Sequence, residues 1–397
     1  MKLLYTCVPS TSCTYPIPST KIILVRHART TYNEQGRYQG SSDESVLTPK
    51  GHQDAYATGV ALQQYNFDAV YTSPLKRVRQ TTQEIITALK DKNNLPLVYS
   101  DRLLTEICMS HWQGLYYQEV KEKFAEAYHC WQNTPHLFSF DNISPVLELF
   151  EKAKLFWRKI FNKHQGQTIL IVAHGGTNRA LISTAVGLPP ENYHSLQQSN
   201  CGISCLEFTS VNNGELKYLN DTHHLGETLP KLKTGKTGWR WLLLSEAKIA
   251  NLGDRSLFDI LGSGNIDLLL TETLISESFA QKLATNYQIP HLPLAENHFS
   301  NWQQTIINRQ KSPMSVERSH LTTGLIIASD KLITRILKTT FQINVSYTED
   351  SLAVIHYSQN KNHPILQGIL PFTSNAIRRL TALSRQRCEA TLSRMAL

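Results

Sequence analysis

Along the first half of the chain, short apolar runs alternate with longer stretches whose apolar residues recur at helical spacing. The runs "KIILVRHA", "FDAVYTSP" and "TILIVAHGG" have strand length, and the last two lead into helix-like segments. "SPLKRVRQTTQEIITALK" carries apolar residues at 75, 78, 85, 86 and 89, while "GTNRALISTAVGL" is short and mostly apolar. Strands that are apolar without alternation suit a parallel sheet covered on both faces. The predicted fold class is therefore α/β, a three-layer α/β/α arrangement around a mostly parallel sheet. Such sheets bind ligands beyond the carboxyl ends of their strands. "LVRH" and "IVAH" both place a histidine at that edge. From about 110 to 160 the chain turns helical and rich in aromatics, including Trp112, Tyr128, Trp131, Phe138 and Trp157, and this stretch is a candidate cap over the sheet edge.

Residues 226–238, "GETLPKLKTGKTG", read as a linker. The pattern then starts again. "RWLLLSEAK" (240–248) lies over "KIILVRHAR" (21–29), "DLLLTETLIS" (267–276) over "DAVYTSPLKR" (68–77), and "TGLIIASD" (323–330) over "TILIVAHG" (168–175). Elements kept in order at a long period point to a duplication. The expected organisation is a flexible leader over 1–20, a first domain over 21–225, the linker, a second copy over 239–372 and a basic terminal helix over 373–397.

Composition narrows the picture. The chain has 397 residues, too many for one ordinary core, with 41% hydrophobic and 18% charged residues, as in a soluble globular protein. No run is long enough to span a membrane, and neither a membrane nor a nucleic-acid partner is expected, since no zinc-finger or RNP pattern is present. The net charge of +8 favours anionic ligands. The seven scattered cysteines read as reduced thiols, so a cytoplasmic location is expected. Self-association as a homo-oligomer is compatible with all of this.

"LVRHARTTYNEQGRYQG" resembles the arginine-histidine signature of the histidine phosphatase superfamily, the phosphoglycerate mutase-like fold. Four further segments match in order: "LTPKGHQDA" (47–55), "TSPLKRVRQTTQEI" aligning Arg77, "LLTEICMSHWQG" aligning Glu106, and "IVAHGGTNRAL" aligning His174. Together they cover roughly 21 to 221, and the whole chain resembles two-domain members of the kind found in cyanobacteria. The resemblance implies that His27 is the nucleophile, Glu106 the proton donor and later the base, and His174 a donor to the phosphoryl oxygens. Arg26 and Arg77 would bind phosphate, with Thr30 and Asn33 as further donors on the loop after the first histidine.

The residue chemistry agrees. Phosphoryl transfer asks a protein for positioning and for compensation of charge on the phosphoryl oxygens. A guanidinium fork matches those oxygens in a bidentate way. An imidazole can take the phosphoryl group and split hydrolysis into two steps. The scheme calls for no cofactor and no metal. The expected activity is metal-independent hydrolysis of a small phosphorylated metabolite. The alternatives are a phosphoglycerate mutase and a non-catalytic protein that binds phosphorylated ligands.

The chain departs from the family pattern at Ala28, which follows the first histidine where glycine is usual, and at Ser110 and Gln113. In the second half Ser245, Glu246, Ser276 and Ser329 fall on Arg26, His27, Arg77 and His174. A carboxylate at the position of the nucleophile would repel phosphate. That copy is expected to be catalytically inert.

Overall fold

A computed structural model of the chain describes residues 19–89, 95–210, 213–232, 237–249, 266–272, 274–294, 321–359, 361 and 363–371. Most of the expected leader, part of the linker (233–236) and the basic terminal helix lie outside the described residues.

The first half is built on β1 (Thr20–Arg26), β2 (Ala69–Thr72), β3 (Leu97–Ser100), β4 (Thr168–Ala173), β5 (Ile203–Ser210) and β6 (Asn213–Asp221). The first strand begins at Thr20, inside the span expected to be leader. In β1 the side chains of Ile22, Ile23, Leu24 and Val25 are all fully buried. They can be so on both faces because α2 (Pro49–Ala61) and α3 (Lys76–Leu89) belong to one layer and α6 (Pro145–Lys163) and α7 (Gly175–Val186) to the other. Strand β4 runs parallel to β1, pairing Arg26 with Ala173, and β5 runs antiparallel on the other side, pairing Val25 with Ile203.

The helix starts follow their sequence. Thr48 caps α2 by accepting from the Gly51 N–H at 3.0 Å, with Pro49 in the first turn. Gly187, at φ +82°, ends α7 in the left-handed region. The aromatic stretch forms α4 (Tyr117–Lys123), α5 (Ala125–Asn133) and the long α6. Trp112 is fully buried beneath this cap, with ring centroids 5.0 Å from Phe138 and 5.2 Å from Tyr38.

The second half supplies β7 (Gly238–Ser245), β8 (Leu268–Thr271), β9 (His291–Pro293), β10 (Leu321–Ala328), β11 (Ser351–Tyr357) and β12 (Ile365–Pro371). The strands join one twelve-stranded sheet in the order β3-β2-β4-β1-β5-β6-β12-β11-β7-β10-β8-β9. Read outward from the seam, each half has the same order, and the two meet where β6 pairs antiparallel with β12 at Leu219 and Ile369. Cys201 and Cys205 are buried, free thiols, pushed up to about 12 by burial.

Asn220 fastens this seam. Its Oδ1 accepts the Ser199 N–H at 2.6 Å and its Nδ2 donates to the Gln367 carbonyl at 2.7 Å. The residue sits at φ +55°, a conformation asparagine tolerates better than most side chains. Asn220→Ala leaves both backbone groups unpaired and strains the turn. We expect a loss of about 3 kcal/mol, read as a lower urea midpoint at unchanged slope. Asn220→Gly should lose less, because glycine keeps the backbone conformation.

Candidate active site

The last residues of β1 carry Arg26 and bring the chain into the edge of the sheet. His27, 2% exposed, is held there by its own N–H, which donates to the Ala173 carbonyl at 2.8 Å. Its ring Nδ1 lies 2.9 Å from the Ala28 carbonyl. A carbonyl only accepts, so Nδ1 carries a proton, and in the neutral ring the lone pair is then on Nε2. Ala28 takes no left-handed conformation, which is why alanine is tolerated where the family pattern has glycine. Its N–H donates to Thr81 Oγ1 at 3.0 Å, which ties this turn to α3.

Arg77 projects from the first turn of α3 and is fully buried. Its two terminal nitrogens donate to the Gly40 and Ser42 carbonyls at 2.7 and 2.6 Å. Burial lowers its pKa to about 10. The loop that holds it is itself held by Gln113, whose Oε1 accepts from the N–H groups of Ser41 and Ser42 at 2.6 and 3.1 Å. Gln113 thus acts as a brace behind an arginine, a role the sequence did not suggest. Arg26 donates from one terminal nitrogen to the Gln198 carbonyl at 2.9 Å, and burial lowers its pKa too.

His174 is the N-cap residue of α7 and fully buried, its ring centroid 5.3 Å from that of His27. Its Nε2 lies 2.8 Å from Ser73 Oγ. Burial, then the charges of Arg77, His27 and Arg26, hold its pKa well below the usual histidine value, so the ring is neutral. The Nε atoms of Arg26 and Arg77 and Nδ1 of His174 are buried without a protein partner among the described residues. The two unpaired guanidinium N–H donors beside an imidazole suit an anion.

Glu106 reaches the same place from the other side. Its carboxylate accepts the N–H groups of Ile107, Gly176 and Thr177 at 2.9, 3.1 and 3.1 Å, the last two in the first turn of α7. Gly176 is required here: a Cβ would overlap the carboxylate and the Tyr193 hydroxyl.

Arg26, His27, Asn33, Arg77 and Glu106 line one cavity of about 1080 Å³ at the carboxyl edge of the sheet, under the cap. His174 adjoins that wall through His27, the ring centroids 5.3 Å apart. Asn33 uses Oδ1 to accept from Asn200 Nδ2 at 3.1 Å, which leaves its NH2 to donate. Thr30 does not reach the cavity. It caps the helix Thr31–Gln35, its hydroxyl accepting the Asn33 N–H at 3.2 Å and donating to Gln39 at 3.1 Å. The sequence reading also missed Gln198, Asn200 and Arg179. For Gln198 and Asn200 the signal was the polar run "QQSN" placed before an apolar strand, where a buried edge needs polar groups with a task; Arg179, inside α7, had none.

The neutral buried imidazoles give a pH dependence. His194 is also held well below the usual value, chiefly by burial and then by Arg179 and Lys361. The unfolded chain takes up these protons below about pH 6.5 and the folded chain does not. The contribution of these rings should therefore be level from pH 7 to 8 and fall as the pH drops from 6.5 to 5, by up to ~1.4 kcal/mol per pH unit for each such ring. Urea unfolding at stepped pH measures it, and His194→Gln should make the fall shallower.

Residues 22–222 match the sequence profile of the histidine phosphatase superfamily (branch 1). The chain is 42% identical over 216 residues to a 2-carboxy-D-arabinitol-1-phosphatase of Triticum aestivum, a match covering 52% of this chain and 42% of the relative. It is 33% identical over 207 residues to phosphoserine phosphatase 1 of Hydrogenobacter thermophilus, covering 52% of this chain and 95% of the relative. The chain thus spans about two fifths of the wheat relative's length and nearly all of the bacterial one. Among solved structures it is similar to Bacillus stearothermophilus YhfR, with 26% identity, 52% of this chain and 99% of that chain covered, and a TM-score of 0.48. With the matched residues running from β1 to β6 and carrying Arg26, His27, Arg77, Glu106 and His174, the chain belongs to the histidine phosphatase superfamily.

Proposed function

We propose that this protein is a phosphatase that hydrolyses small phosphate monoesters through a phosphohistidine, without a metal. The observation that carries this reading is the fixed tautomer of His27 among buried cations: Nδ1 is committed to the Ala28 carbonyl, so Nε2 is the atom that can attack. Phosphatases named for phosphoserine and for a carboxylated sugar phosphate are its relatives, and both of those esters carry a carboxyl group beside the phosphate.

In the first step Nε2 of His27 forms a bond to phosphorus as the ester P–O bond breaks. Glu106 in its acid form gives the leaving oxygen its proton. Arg26 and Arg77 compensate the charge spread over the phosphoryl oxygens, and neutral His174 adds a donor without adding charge. In the second step a water attacks phosphorus, Glu106 takes its proton, and the P–N bond breaks to release phosphate. The guanidinium groups supply the positive charge that a metal ion supplies in other phosphoryl-transfer sites, so activity should survive EDTA.

His27→Ala should abolish phosphate release from p-nitrophenyl phosphate and the acid-labile, base-stable label left by a ³²P-substrate. Retention of either would overturn the assignment of the nucleophile. Gly176→Ala keeps every reacting group but displaces the Glu106 carboxylate. A misplacement on the scale of an ångström costs about 10²-fold in rate, and kcat should fall accordingly.

A further inference from the structure

One cation on the cavity wall comes from outside the residues that match the family. Lys361, between β11 and β12 of the second half, lines the cavity together with Arg179 of α7. Its ammonium donates to Oε1 of Gln132 on α5, a neutral acceptor. The charge acting on it is that of Arg179, another cation. Burial and that neighbour lower its pKa to about 8, which leaves it mostly charged at neutral pH.

Its position is built. His363 stacks on His194, with centroids 6.4 Å apart and rings inclined by 15°. His194 Nε2 donates to the Trp131 carbonyl at 2.7 Å. Both rings are neutral, His363 being lowered to about 4 by burial and then by Lys361 and Arg179. Farther along β12, the Leu366 carbonyl accepts the Gln197 N–H at 2.9 Å, and Gln367 donates to Gln197 Oε1 at 3.3 Å. These bonds fix the second half to the segment whose Gln198 carbonyl orients Arg26.

Besides Arg26 and Arg77, the cations that line the cavity are Arg37, Lys121, Arg179 and Lys361, and the charge of Arg179 acts on Arg26 as well as on Lys361. Glu106 is the one carboxylate among the described lining residues, and its oxygens are occupied by α7. A guanidinium already committed through Nε to the Leu196 carbonyl, an ammonium and a side-chain amide make a smaller nest than the phosphoryl site. That donor set matches a singly charged carboxylate better than a second phosphate.

We propose that Lys361, with Arg179, forms a subsite for a carboxylate on the substrate, so that the second half of the chain selects phosphate monoesters that are also acids. This rests on the phosphatase reading above. O-phosphoserine and O-phosphoethanolamine differ only in the carboxylate, and their kcat/KM values on the full chain give the preference directly. We expect the wild type to prefer phosphoserine by roughly tenfold or more, the worth of one charge-assisted hydrogen bond. Lys361→Met and Lys361→Gln should each cut that preference about tenfold, mainly through KM, and Lys361→Arg should keep it within about threefold. An unchanged ratio in both neutral variants overturns the subsite, whether the two rates stay level or fall together. Phosphate release by the wild type from p-nitrophenyl phosphate but from neither ester overturns the subsite alone, and release from none of the three overturns the phosphatase reading and the subsite with it.

Discussion

Two guanidinium groups buried beside an imidazole repel one another, and the fold exists in large part to keep them there. Both lose hydration, Arg26 lowers the hold of Arg77 on its proton, and Arg179 does the same to Arg26. What offsets this is the nearby charge of Glu106 and, in direct contact, backbone carbonyl oxygen: Gly40 and Ser42 for Arg77, Gln198 for Arg26. Carbonyl dipoles stabilise a cation without neutralising it. A carboxylate partner would have held the arginines equally well and cancelled the charge that the site needs.

Those carbonyls lie on irregular segments, which have to be stiffened from behind. On one side Gln113 gathers the N–H groups of Ser41 and Ser42. On the other, residues 197–199 are gripped between β6 and β12 through Gln197, Asn220 and Gln367. The second half of the sheet is thus in mechanical contact with the first arginine, although the matched family residues end at 222. The equivalent places in the second half have different chemistry. The Ser329 hydroxyl donates to the Glu272 carboxylate at 2.7 Å, at the strand ends that correspond to the His174–Ser73 pair. Ser245 is buried where Arg26 would stand. Among the described residues these two places carry hydroxyl and acidic groups where the first half carries an arginine and a histidine.

The strand-ending histidines, the α/β class and the order of elements were legible because they depend on local pattern. "KIILVRHA" must be buried on both faces, and it is. Capping is also local, yet Thr30 was expected as a donor to phosphate and not as a cap. A threonine three residues before Asn33 can cap a helix or donate to a ligand with the same hydroxyl, and nothing in the sequence chooses between them. The tertiary structure chose the cap.

By itself the sequence determined which side chains could carry charge, nucleophilicity and proton transfer, and that strands of these residues would end at one edge. Composition and periodicity fix those outcomes within a few residues of each position. Only the tertiary structure decided which nitrogen of His27 keeps its lone pair, what holds each guanidinium, and that Lys361 of the second half stands on the wall of the first half's cavity. Those depend on carbonyls and loops brought together from positions far apart in the chain, and no local pattern encodes such a distance.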